Sequence, residues 1–212
     1  ERISPKPTYH TVEMFRAQQS EYGMDAASYS ESKIDLRLKL AALASQLDRY
    51  LATQYGIDNN KQGDFKKWQG SHQTFHWFTE FYGVMNDGGF DIVIGNPPYV
   101  EYAKVKDTYI IQGYKTESCG NLYAYVTERS IDILHNSGRI GMIVQLPIVC
   151  TDRMSSLQKV CLSNGHTGWF ATFDDRPARL FDGLEHIRAC IFTLQKSKAA
   201  TARSQLYTSG YN

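Results

Sequence analysis

From Gly88 to Lys196 short apolar runs alternate with helix-length stretches of mixed polarity, and this alternation limits the fold more than any other feature of the chain. "FDIVIGN" reads as a strand, "NLYAYVTERSIDILHN" as a helix and "GRIGMIVQL" as a strand again. "DRMSSLQKVCLSN" then suits a helix with Asp152 at or near its N-cap, and "GWFATFDD" suits a strand. "HIRACIFTLQK" reads as a longer strand, antiparallel at a sheet edge. Strands alternating with helices at this spacing predict an α/β domain.

The residues ahead of this region have a different texture. The first thirty mix Pro, Ser, Gly and Tyr without a sustained period, which predicts loops and at most a short helix. Leu36, Leu40, Leu43, Leu47 and Tyr50 then recur at alternating steps of four and three, the stripe of an amphipathic helix over about Ser32–Tyr55. A second helix is expected behind "NNKQGD", with Asp64 as its N-cap and Gly70 weakening its middle. The closing "SKAATARSQLYTSGYN" is small and polar and reads as a linker. The expected organisation is a helical segment over 1–85, an α/β domain over 86–198, and a linker over 199–212.

Composition narrows the class. A net charge of +1, from 23 basic and 22 acidic side chains, argues for no global attraction to nucleic acid or membrane, so any basic groove must be local. Cys119, Cys150, Cys161 and Cys190 form no C-x-x-C pair, which points to reduced thiols in a cytoplasmic protein. No apolar run approaches the roughly 20 residues that span a bilayer, and a soluble protein without membrane partners is expected. The start at Glu1 and the uncapped "LYTSGYN" end suggest a piece of a longer polypeptide.

The stretch "GGFDIVIGNPPYVEY" is the one that invites chemistry. Asn96-Pro97-Pro98-Tyr99 can be a diproline turn that stops a strand, with Tyr99 packing nearby. It can also be a site. In open α/β sheets ligands bind at the carboxyl ends of the strands, where Asn96 falls. A residue before proline is held extended and Pro98 has no N–H, so the Pro97 carbonyl is free to point into a cleft. With the Asn96 side-chain oxygen it makes two adjacent acceptors, matched to the two hydrogens of an exocyclic amine. Tyr99 adds a ring on which a flipped-out nucleobase could stack.

"NPPY" after an apolar strand resembles the catalytic motif of the N6-adenine DNA methyltransferases. "FKKWQGSHQTFHWFTEFYGVMNDGGFDIVIGNPPYVEYAKVK", "CGNLYAYVTERSIDIL", "GRIGMIVQLPIV", "TDRM" and "RPARLFDG" together resemble the methyltransferase region of type IIG restriction-modification enzymes, over about residues 64 to 212. The resemblance implies an α/β fold: the C-terminal half of a Rossmann-like, S-adenosylmethionine-dependent methyltransferase sheet, preceded by a helical segment. It implies site-specific methylation of adenine N6 in double-stranded DNA. Asn96 and the Pro97 carbonyl, set by Pro98, would hold the amine. Tyr99 would stack on one face of the flipped base. Phe181 would meet the other face, or simply pack in the core. Asn121 and Tyr123 would line the pocket. Lys104, Lys106 and Lys115 would contact DNA phosphates, or form a solvated charged face.

The sequence also departs from that family. S-adenosylmethionine binding there uses a glycine-rich turn, and this sequence has no G-x-G triplet. The main cofactor loop is therefore expected elsewhere in the parent polypeptide, with a target-recognition domain and a nuclease domain as further partners. The isolated chain is expected to be incomplete and inactive. "IVQLPIV" differs as well, since the family more often has proline directly after the strand. Competing readings keep the motif but change the acceptor to RNA or a protein glutamine, or make the region an inactive scaffold that binds DNA or a partner. His72 and His76 have a metal-ligand spacing without a third ligand, and packing among Trp68, Phe75 and Trp77 explains them better; no metal site is expected.

Overall fold

The computed structural model describes residues 26–174, 180, 187–197 and 203–210, with side chains from residue 33. The chain divides into two units, residues 1–86 and 87–212. No helix among the described residues is long and apolar enough to cross a membrane.

The first unit is helical: α1 (Ala26–Gln54), α2 (Gln62–His72) and two short helices, α3 (Trp77–Glu80) and α4 (Tyr82–Asn86). α1 starts earlier than its leucine stripe predicts. Tyr50 is exposed, whereas Leu47, Leu51 and Tyr55, at steps of four, are half-buried and Ala52 beside them is fully buried. Leu51 and Tyr55 pack beside buried Ala52, Phe65 and Trp68. Asp64 is not the N-cap of α2; Lys61 is, and Asp64 lies in the first turn, where a carboxylate still favours the helix dipole. The expected single helix is broken after His72. Ser71 Oγ donates to the Trp68 carbonyl, His72 Nδ1 lies 3.2 Å from the same oxygen, and Gln73 turns left-handed at φ 44°.

A buried carboxylate organises that break. Asp48 on α1 accepts hydrogen bonds from Gln69 Nε2 at 2.6 Å and from Thr74, and lies 2.7 Å from His76 Nε2. Burial alone would raise its pKa, but the hydrogen bonds from Thr74, His76 and Gln69 outweigh it and hold the carboxyl below its ordinary range.

The second unit is a five-stranded mixed sheet in the order β1-β2-β4-β3-β5: β1 (Phe90–Gly95), β2 (Leu134–Gln145), β3 (Thr167–Phe173), β4 (Ala189–Gln195) and β5 (Gln205–Thr208). β1 runs parallel to β2, and β4 runs antiparallel to both β2 and β3. The expected antiparallel direction of β4 holds, but the expected edge position does not: β4 lies between β2 and β3. Cys190, Phe192 and Leu194 are fully buried, so an edge position would have exposed the most apolar strand of the chain. The edge opposite β1 is β5, parallel to β3 and drawn from the stretch that reads as a linker. Its four residues are all exposed, so no apolar alternation announces it.

Helices α5 (Leu122–Asp132) and α7 (Ser155–Cys161) cover one face of this sheet. Val93, Ile140, Met142, Val144, Phe170, Phe192 and Leu194 point into that layer and meet Tyr123, Ala124, Ile131, Leu157 and Cys161. Each fully buried aliphatic or aromatic side chain contributes about 1.5–3 kcal/mol. All four cysteines are free of disulfides, and burial pushes the Cys161 and Cys190 thiols up to about 12. The chain enters the sheet through Gly89 at φ 115°, where a Cβ would lie 2.3 Å from the Ile133 carbonyl. Only glycine fits that approach.

Candidate active site

β1 ends at Gly95, paired with Met142 of β2, and residues 96–100 leave the sheet without regular structure. Asn96 is exposed at the carboxyl end of β1, Pro97 is buried, Pro98 is exposed and Tyr99 is half-buried. No described residue hydrogen-bonds the Asn96 side chain. The Tyr99 hydroxyl donates to the Ile143 carbonyl of β2 at 3.1 Å, and burial raises its pKa above the ordinary phenol value. A neutral O–H donor is what a carbonyl partner requires. The Tyr99 ring meets Tyr123 edge-on, with centroids 6.4 Å apart.

The far end of the loop is anchored to the start of α5. Tyr102 N donates to the Gly120 carbonyl at 2.8 Å, Leu122 N donates to the Val100 carbonyl at 2.9 Å, and Glu101 pairs with Asn121 as an antiparallel bridge. Asn121 is buried and caps α5, its Oδ1 accepting from Tyr123 N at 3.3 Å while its amide donates to Glu101. Its polar groups are therefore engaged within the chain. Tyr123 is fully buried, its hydroxyl donates to Met154 Sδ at 3.3 Å, and burial pushes its pKa far above the phenol range.

The three lysines do not form one group. Lys104 and Lys106 are exposed in the turns that follow the motif. Lys115 is also exposed, but its backbone amide donates to Glu128, and it lines a cleft of about 310 Å³ with Asp132, His166 and Lys196. The strand registers put that cleft at the opposite end of the sheet from Asn96. There Lys196 donates to the Ile131 and Leu134 carbonyls at 3.0 and 2.7 Å, and burial lowers its pKa. Phe181 lies outside the described residues. Its flanking strands β3 and β4 pair Phe173 with Ala189 at the carboxyl end of β2, near the motif's end of the sheet. His72 stacks on Trp68 while His76 faces Asp48, and the described residues contain no group of metal-binding side chains.

Sequence reasoning missed the groups that hold the loop in place. Glu101 and Arg153 form an ion pair at 2.5 Å, Ser118 and Cys119 both contact Ser156, and the Glu128 carboxylate gathers Lys115 N, Thr116 N and Thr116 Oγ1. All are long-range pairs between residues common on any surface, so the sequence carries no signal for them. In "IVQLPIV", Leu146 is buried after the strand and Pro147 opens the short helix α6 (Pro147–Cys150), where its missing N–H costs no hydrogen bond.

The second unit is thus a mixed α/β sheet that presents an asparagine, two prolines and a tyrosine at the carboxyl end of a strand parallel to its neighbour. Residues 21–178 match the family model for the Eco57I restriction-modification methylase, and the chain belongs to that family. A Methanocaldococcus jannaschii protein named as a type II restriction enzyme and methyltransferase is 25% identical over 160 residues, covering 71% of this chain and 13% of that protein. The chain thus spans a small part of that relative's length. Among solved structures, a nuclease-deletion mutant of the Type ISP restriction-modification enzyme LlaGI bound to a DNA substrate mimic aligns with a TM-score of 0.45 at 15% identity, over 62% of this chain and 15% of the other. The DrdV–DNA complex aligns with a TM-score of 0.42 at 13% identity, over 61% and 15%. These structural likenesses are loose, and the family assignment rests on the sequence match alone.

Proposed function

We propose that this chain carries the base-accepting side of the active site of a site-specific, adenine-N6 DNA methyltransferase, within a type IIG restriction-modification polypeptide of the cytoplasm. The observation that carries the reading is the Asn96 amide, exposed beside Pro97-Pro98-Tyr99 at the carboxyl end of β1, while the Tyr99 hydroxyl and the Asn121 side chain are engaged within the chain. Asn96 Oδ1 and the Pro97 carbonyl accept the two N6 hydrogens of a flipped adenine. That draws the amine's lone pair out of conjugation and aims it outward from the strand end. No strong general base is needed, because the nitrogen becomes acidic once it carries the fourth substituent. Catalysis by these residues is orientation and stabilisation of developing positive charge. Tyr99 offers its ring to one face of the base, and Phe181 meets the other.

S-adenosylmethionine supplies the methyl group in this reading. No glycine-rich turn follows any of the five described strands, so its main contacts are not among the described residues. The isolated 212-residue chain is expected to bind the cofactor weakly or not at all, and micromolar binding by calorimetry would contradict this. Double-stranded DNA, a target-recognition domain and a nuclease domain are the partners proposed for the natural polypeptide.

The direct test expresses that natural polypeptide in a host free of adenine methylation and separates the nucleosides of its digested genomic DNA. N6-methyladenine is expected from the wild type and none from Asn96→Ala. Methylation that persists in Asn96→Ala would remove Asn96 from the reaction, and a mark found only in RNA or on protein glutamine would change the substrate.

A further inference from the structure

The catalytic tetrapeptide is fixed at two ends and, between them, through Tyr99, whose hydroxyl donates to the Ile143 carbonyl. One end is the β1–β2 pairing at Gly95, and the other is the zipper of Val100–Tyr102 against Gly120–Leu122. Where the zipper sits decides where the Asn96 oxygen and the Pro97 carbonyl point. We infer that Arg153, on the turn that follows α6, is the positioning residue that sets this zipper and through it the base-accepting geometry; the inference rests on the methyltransferase reading above.

Two contacts converge on Arg153, and a third on its neighbour Met154. Its guanidinium donates to Glu101 Oε2 at 2.5 Å, while Glu101 Oε1 accepts from Asn121 Nδ2 at 3.3 Å. One carboxylate therefore ties the residue two places after Tyr99 both to the α5 cap and to the Arg153 turn. The same guanidinium fills the space above Gly120, which stands at φ 60° and whose Cβ would lie 2.5 Å from the Arg153 nitrogen. The positive φ favours glycine there, and a Cβ would displace the end of the Arg153 side chain from this position. The neighbour Met154 accepts from the Tyr123 hydroxyl, and Tyr123 in turn packs edge-on against Tyr99. The Asp152–Met154 turn thus reaches the motif by two routes, Glu101 on the backbone side and Tyr123 on the ring side.

An exposed ion pair is ordinarily a weak contributor to stability. This pair differs in what it holds. Glu101 sits on an isolated bridge and Arg153 on a single 3-10 turn, so no long helix or sheet ladder fixes their spacing, and a charge-assisted bond is directional as well as attractive. A displacement of about 1 Å in a reacting group costs on the order of a hundredfold in rate, while leaving global stability nearly unchanged. Arg153 is accordingly expected to govern turnover and not folding.

The test uses the natural polypeptide and the variants Arg153→Gln, Arg153→Lys, Glu101→Gln and the Arg153→Gln/Glu101→Gln double. Hydrogen exchange is followed at the Tyr102 and Leu122 amides, with steady-state methylation of a cognate duplex alongside. Arg153→Gln is expected to speed exchange at both amides and to lower kcat by about 10- to 100-fold, with KM for DNA and the melting temperature little changed. Arg153→Lys restores most of kcat, and the double variant is no worse than the more damaging single one, since both remove the same bond. Unchanged exchange at the two amides overturns the inference. So does a loss confined to KM for DNA, which would make Arg153 a phosphate contact, or faster exchange across the whole unit. A wild-type polypeptide that exchanges as expected but leaves no methyladenine would sink the methyltransferase reading while leaving the Arg153 clip standing.

Discussion

The NPPY loop and the loop before α5 are both irregular, both lean on α5, and treat their polar groups in opposite ways. Around Glu128 every oxygen is engaged: Lys115 N and Thr116 N donate at 3.0 Å and Thr116 Oγ1 at 2.7 Å, all to one buried carboxylate. At Asn96 the side chain projects from the sheet with no partner among the described residues. A buried polar group must be satisfied inside the chain or it destabilises the fold, whereas one that serves a ligand must be left open until the ligand arrives. The contrast separates residues engaged in holding the unit together from the side chain to which we assign the chemistry.

Substitution at the two places should therefore break different properties. Asn96→Ala is expected to lower kcat by at least about a hundredfold in the natural polypeptide, with its thermal midpoint unchanged. Comparable loss of midpoint would put Asn96 among the structural groups. Glu128→Ala reverses the pattern, costing about 2–3 kcal/mol by denaturant titration because three donors lose their acceptor. Turnover per folded molecule should stay near wild type. Between these extremes lies Tyr99→Phe, which removes only the bond to the Ile143 carbonyl. About 1 kcal/mol of stability and a few-fold of kcat are expected to go, since the ring itself remains. A hundredfold loss of turnover would show that the hydroxyl, and not the ring, meets the substrate.

The smallest effect concerns Asp48 in the helical unit, a second fully engaged carboxylate. Its pKa is held below the ordinary 3.8, chiefly by hydrogen bonds that overcome its burial. A carboxyl lowered on folding adds stability above its unfolded pKa and loses it as the pH falls through the folded value. Acid titration of helicity should show a loss beginning below about pH 4 that Asp48→Asn removes. An identical acid profile for that variant would mean another group controls the transition.

Much of the site could be read ahead of the fold. Asn96, Pro97, Pro98 and Tyr99 carry their geometry in their covalent structure, because proline restricts the residue before it and removes a donor wherever it stands. The first long helix, strands β1 to β4 and α5 were visible from the sequence, although the helix read through Asn136 ends at Asp132 and β2 has begun by Leu134. The break after His72 was not, because Ser71, His72 and Gln73 stop the helix through side-chain bonds that propensity does not weigh. The strand at Gln205–Thr208 escaped for another reason. An edge strand exposed on both faces has no apolar alternation, and it pairs through its backbone alone. Asn121 shows the limit at the site itself. Its residue type suits a pocket and a helix cap equally, and only the position of Tyr123 N and Glu101 reveals it as the cap.

Local chemistry along the chain determined the α/β character of residues 88–196, the strand that ends in Asn96 and the diproline geometry behind it. Each of these depends on neighbours within a few residues, and so can be written in sequence. The tertiary structure decided that β4 enters the sheet between β2 and β3, that Lys115 belongs to a cleft away from the motif, and that Arg153 reaches Glu101 across 52 positions. Those outcomes depend on which distant surfaces can be buried or paired together, and that competition is resolved only when the whole unit packs.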